Sequence, residues 1–403
     1  MKKTLLFNLA LALLIILNAC KKDKNNEVAP SDAKPEGQFV RLLVSDQDLL
    51  NYYIVNPEKG TYELQAGNFP NASLYSSPSG RFVSVINTND NFSTFFDSGI
   101  EGHGDHVHVK GTPKWALTKA YNSKPVHYYG RGEDMLIFND GEGSISHFKE
   151  NNLNTEANAF SFNVGVAHHG APALFNNGTI AVTVKDGSVT GTLPERVKIV
   201  DMKGTTLYPS TIQTGGIHGE AGNGDIVLYG STNGILAIGK DGSQELISYP
   251  DSFGSNWLGT IYYGKESHQF VGFKSGMGIY KLDQINKKIT IIEENKTLFS
   301  ATFDWEGHDL ILLYTNGTVK VVDGHDFNTK TSKLLSISFP ASGSNGNPVV
   351  VSSRDFVYIT NGQDGKIVMY DKKNLTKIKE ISLPGKPSKM ALMGSLAKED
   401  DSH

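Results

Sequence analysis

Residues 300–323 read SATFDWEGHDLILLYTNGTVKVVD: a strand-like opening, a polar turn, an apolar run, Asn316-Gly317, and a third strand ending on Asp323. An Asn-Gly pair between apolar runs is a strong hairpin signal, because both residues readily take the positive φ of a tight turn. The unit recurs in both directions. Toward the N-terminus come LGTIYYGKESHQFVGFKSGMGIYKLD from Leu258, IHGEAGNGDIVLYGSTNGILAIGKDG from Ile217 and GAPALFNNGTIAVTVKDGS from Gly170, whose last strand is delayed to RVKIVD at 196–201. Before them lie PVHYYGRGEDMLIFNDGEGSISHFKE from Pro125 and a weaker copy, ASLYSSPSGRFVSVINTNDNFSTFFD, from Ala72. Toward the C-terminus, PVVVSSRDFVYITNGQDGKIVMYD begins at Pro348.

A spacing of roughly 40 to 55 residues is that of propeller blades, each a small sheet unable to bury its own two faces. The expected fold is therefore all-β: a single propeller of four-stranded blades spanning residues 38–395. Its ring needs a closing blade. Lys389-Met390-Ala391-Leu392 reads as a first strand, and residues 39–64 (FVRLLVSDQDLLNYYIVNPEKGTYEL) read as later strands of the same unit. Joining the two ends leaves no exposed sheet edge. The count is eight blades, or seven if the segment after Ala72 is irregular.

The N-terminus has a different character. Lys2 and Lys3 precede an apolar run from Leu5 to Leu17, which ends in Leu17-Asn18-Ala19-Cys20. The run is short for a membrane span and has the form of a signal peptide. Its ending resembles the lipobox of bacterial lipoproteins, which implies that Cys20 carries acyl chains after cleavage. The expectation is a signal peptide over 1–19, a lipid-anchored tether over 20–37 and a disordered tail over 396–403. KKDKNNEVAPSDAKPEG, residues 21–37, is too polar to bury a core of its own. Cys20 is the only cysteine, so neither an intrachain disulfide nor a thiolate metal site is expected of the folded part. With net charge −4 and no basic stripe beyond the tether, nucleic acid is not an expected partner.

The twelve histidines are unevenly placed. Gly102-His103-Gly104-Asp105-His106-Val107-His108 holds three of them. His127, the pair His168-His169 and His218 stand where three successive units begin. The first strand of a blade lines the central channel, so these side chains should converge near its mouth. Without thiolates, imidazoles and carboxylates suit zinc, and the donor types alone leave copper and nickel open. His106 and His108 are two apart and share one face of a strand. Asp105 is a further candidate ligand, and Glu220 a candidate to orient an imidazole. His147, His268, His308 and His325 read as ordinary turn residues.

HGDHVH, PVH, HHG and HGE, in this order on propeller units, resemble the AztD-type periplasmic zinc chaperones. That resemblance implies a metal-binding role for His103, His106, His108, His127, His168, His169 and His218. It also implies zinc as cargo, the solute-binding protein of an ABC zinc importer as partner, and a place in the cell envelope facing the periplasm. The sequence departs from the family in two ways: the tether at 21–37 contains no histidine, and Cys20 marks a membrane-anchored form.

An alternative is a propeller enzyme, a metal-assisted hydrolase or lactonase with Glu220 or Asp105 as general base. Against it, the sequence has no Gly-x-Ser-x-Gly elbow and no HExxH pair. A protein-interaction propeller with incidental histidines is the third reading.

Overall fold

The computed structural model describes residues 36–341, 345–397 and 399–400. The expected signal segment, Cys20 and the tether up to residue 35 lie outside them. Glu36 to the C-terminus forms one compact unit.

That unit is a ring of eight four-stranded antiparallel sheets. The segment after Ala72 is regular: Ser73–Ser76, Phe82–Asn87, Phe92–Asp97 and Lys114–Ala120 make the second blade. The third blade starts on Pro125–Arg131, the fourth on Pro172–Leu174, the fifth on Ile217–Gly222 and the sixth on Thr260–Gly264. The seventh starts on Leu298–Phe303 and the eighth on Val350–Ser352. The first blade is shared between the chain's ends. Val40–Asp46, Asn51–Asn56 and Thr61–Ala66 supply three strands, and Pro387–Gly394 supplies the innermost, with Leu42 opposite Leu392 and Val44 opposite Met390.

Burial follows position within the blade. Second strands such as Phe82–Asn87 and Asp309–Tyr314 are buried at every residue, because a neighbouring blade covers each face. Outer strands such as Thr61–Ala66 and Thr329–Leu334 are mostly exposed. Each boundary between adjacent blades holds its own apolar cluster. Between blades one and eight, for example, Val40, Leu42 and Tyr53 meet Tyr358, Ile367 and Met369. A fully buried Leu, Ile or Val contributes roughly 1.5–3 kcal/mol, so one such boundary outweighs the surface ion pairs at about 0–1 kcal/mol each.

Among the described residues, one further sheet stands outside the blades. Between the third and fourth strands of blade two, Ile100–His103 and His106–Val109 form an antiparallel hairpin. It is held by a small cluster of Phe39, Ile100, Val107 and Ala397. The chain ends differ here from the sequence expectation. Glu36, at the end of the presumed tether, is buried and accepts the backbone N–H groups of Arg354 and Asp355. In the presumed tail, Glu399–Asp400 pairs in parallel with His106 and Val107.

Candidate metal centre

The first strands of blades three and five each carry a break in register at their start, between Pro125 and Tyr128 and between Ile217 and Glu220. His127 and His218 lie within these breaks. A bulge re-aims the side chain it carries. At the second break Gly219 takes a φ of +69°, and a β-carbon there would collide with the Gly259 carbonyl. In blade four His169 stands just ahead of Pro172–Leu174. The three rings meet: centroids are 4.7 Å apart for His127 and His169, 5.1 Å for His169 and His218, and 5.5 Å for His127 and His218. One nitrogen from each lies within 4.8 Å of the others.

The far sides of two rings are tied down. His169 Nδ1 donates to Asp140 Oδ2 at 2.6 Å, and His218 Nδ1 donates to the Gly259 carbonyl at 2.7 Å. Those bonds place the proton on Nδ1 and leave the Nε2 lone pairs aimed inward. His127 Nε2 lies 3.1 Å from His169 Nε2 and donates to it. Its own Nδ1 faces Glu220 Oε2 at 3.8 Å. Burial, then the charged forms of His169 and His218, push the His127 imidazole down to about 3. Burial also raises the Glu220 carboxyl well above its ordinary range. Metal-bound nitrogens at about 2.0–2.1 Å in a tetrahedral arrangement are roughly 3.3 Å apart, close to the 3.1 Å between His127 and His169, with the third donor within 4.8 Å of both.

His168 takes no part. Its Nδ1 donates to the Val166 carbonyl at 2.7 Å, its Nε2 lies 3.0 Å from Thr183 Oγ1, and its ring packs on Phe138. In this irregular segment ahead of Pro172–Leu174, His169 faces the cluster while His168 turns inward as a buried packing residue. Both its nitrogens are engaged, which removes it from the ligands expected.

No protein-family model matches the sequence. The zinc chaperone AztD of Citrobacter koseri is 23% identical over 400 residues, covering 93% of this chain and 91% of the relative. A crystal structure of Citrobacter koseri AztD matches with a TM-score of 0.80 at 21% identity, covering 89% of this chain and 99% of the other. Apo AztD from Citrobacter koseri matches at 0.78 and 20% identity, covering 88% and 97%. The likeness is to the AztD type. A dihydro-heme d1 dehydrogenase, NirN, shares the fold alone, with a TM-score of 0.58 and 14% identity over 89% of this chain and 76% of that one.

In this AztD-like ring the remaining histidine candidates are separate from the channel trio. On the hairpin, the rings of His103, His106 and His108 lie 4.9 to 5.9 Å apart. His103 Nε2 is 3.0 Å from Glu101 Oε1, and His106 Nδ1 is 3.1 Å from the exposed Asp105. A cavity of about 930 Å³ borders the hairpin at His103 and is also lined by Glu220, the carboxylate facing His127. Its lining further includes Arg131 at the end of blade three's first strand and Lys265 just after blade six's first strand. The sequence reading missed Asp140, which sits in an ordinary-looking Asn-Asp-Gly turn, and the Gly259 carbonyl, which has no side-chain signature. It also separated His308 and His325 as turn residues, whereas the structure brings them together with Asp323.

Proposed function

We propose that this protein carries zinc as cargo on His127, His169 and His218 and delivers it to a zinc import system in the cell envelope. The observation that carries the reading is the convergence of three imidazoles from three successive blades, two of them locked with Nε2 inward. Neutral imidazoles of this kind are the donors a zinc site without cysteine requires. Three protein ligands leave a fourth position that an incoming donor can take, which is the requirement of handover rather than of permanent storage. The similarity to a protein described as a zinc chaperone supports the same reading.

His103, His106 and His108 serve in this scheme as the outer exchange point. The hairpin projects from blade two, and its His103 borders a cavity that is also lined by Glu220, 3.8 Å from His127. It takes the place of the histidines absent from the tether at 21–37. A lipid on Cys20 would hold the ring close to the membrane, facing the periplasm, within reach of the solute-binding protein of an ABC importer.

The test is zinc affinity, by competition with a chromogenic chelator, on protein stripped of metal. His127→Ala/His169→Ala/His218→Ala should abolish tight binding. His103→Ala/His106→Ala/His108→Ala should keep it and slow transfer to the importer's binding protein. Tight zinc surviving in the first variant contradicts the assignment of the trio.

A further inference from the structure

We propose that His308, Asp323 and His325 form a second, independent site on blade seven for a divalent transition ion that accepts nitrogen and oxygen donors. The three come from two different turns. His308 ends the turn that leads into Asp309–Tyr314, and His325 follows the strand Thr318–Asp323. Antiparallel pairing sets Asp309 opposite Asp323, and the Gly324 N–H donates to the His308 carbonyl at 2.8 Å. The two turns are thereby fastened side by side. The ring centroids of His308 and His325 are 5.0 Å apart, and one donor atom from each of the three residues lies within 4.8 Å of the others.

The chemistry repeats that of the channel. His308 Nδ1 donates to Asp309 Oδ1 at 3.0 Å, as His169 does to Asp140, which fixes the ring and turns its Nε2 lone pair outward. Asp323 accepts the backbone N–H of His325 at 2.8 Å, so the carboxylate and the second imidazole move as one unit. Lys330 Nζ lies 2.6 Å from Asp309 and 2.8 Å from Asp323 Oδ2. It neutralises part of the local charge, so the site is weaker than one built on free carboxylates. The His308 and His325 side chains are 44% and 50% exposed, whereas that of His127 is 19% exposed. An ion here exchanges directly with solvent. Two imidazoles and one carboxylate suit zinc, nickel or copper, and zinc is the probe to use.

This site does not depend on the channel assignment, and one experiment separates them. Metal-stripped full-length protein, His308→Ala/His325→Ala and His127→Ala/His169→Ala/His218→Ala are titrated with zinc by calorimetry at neutral pH. The blade-seven variant is expected to bind one zinc fewer than the parent, and the channel variant to retain that same weaker ion. The same zinc count and isotherm in His308→Ala/His325→Ala as in the parent overturns the proposal. Because both side chains are half-exposed, the variant should melt with the parent. As a second reading, zinc added to crystals at one equivalent per site should give an anomalous peak between His308 and His325, and a map without one there equally overturns it.

Discussion

At the scale of single residues, the rings of the channel trio are aimed by groups that lie outside the trio itself. Asp140 holds His169, and the Gly259 carbonyl holds His218. Partners of this kind are worth about 10- to 100-fold in metal affinity. Asp140→Ala should weaken zinc binding by that amount with the fold intact, measured by chelator competition, and an unchanged affinity contradicts the role given to it. His127 makes a prediction about pH. Its imidazole titrates at about 3 in the folded protein against 6.5 in an ordinary setting. Between those values the unfolded chain takes up a proton that the folded chain refuses. The contribution of His127 to stability is therefore whole above 6.5 and lost as pH falls toward 3. The melting temperature of metal-free protein should drop between pH 7 and 4.5, and drop less in His127→Gln. His127, His169 and His218 were readable because they recur at the start of successive repeats. Asp140 was not, since its contact with His169 crosses from one blade to the next and leaves no local pattern. The pair at 168 and 169 was only half resolved: which of two adjacent histidines faces the channel is set by the path of the irregular segment ahead of Pro172–Leu174, not by residue type.

At the scale of elements, the hairpin and the bulges present the candidate histidines while the blades hold them in place. Val107 is fully buried against Phe39, Ile100 and Ala397, and its neighbours His106 and His108 face the other way. Val107→Ala removes two methyl groups from a small cluster and should loosen the hairpin by about 1–2 kcal/mol. Hydrogen exchange at 100–109 should accelerate while the global melting temperature barely moves. Gly219 is the sharper test. Its positive φ and its closeness to the Gly259 carbonyl leave no room for a side chain. Gly219→Ala should displace the carbonyl that orients His218, costing about 1–3 kcal/mol of stability together with a loss of zinc affinity. The repeat unit announced the blades, but not that a bulge opens the first strands of blades three and five, because a one-residue slip in pairing has no consistent signature in composition.

At the scale of the whole molecule, the architecture was readable almost completely, down to the blade shared by residues 39–64 and Lys389 to Leu392. Repetition is what made it so: one unit read correctly is read eight times. The weak copy after Ala72 is regular because Phe82, Val83, Val85 and Ile86 keep the buried second strand despite the interrupting hairpin. Removing residues 387–403 should abolish the cooperative melting transition, since Pro387–Gly394 is the innermost strand of blade one and its loss uncovers Leu42 and Val44. That clasp has a consequence in time. The strand that locks the ring follows every strand of blades two to eight in the chain, so a growing chain can stack those blades yet cannot fasten them. The three histidines, at 127, 169 and 218, all precede that strand and can come together while the channel around them is still open to one side. Closing of the ring is then a separate event from the meeting of the three histidines, and comes after it in chain order.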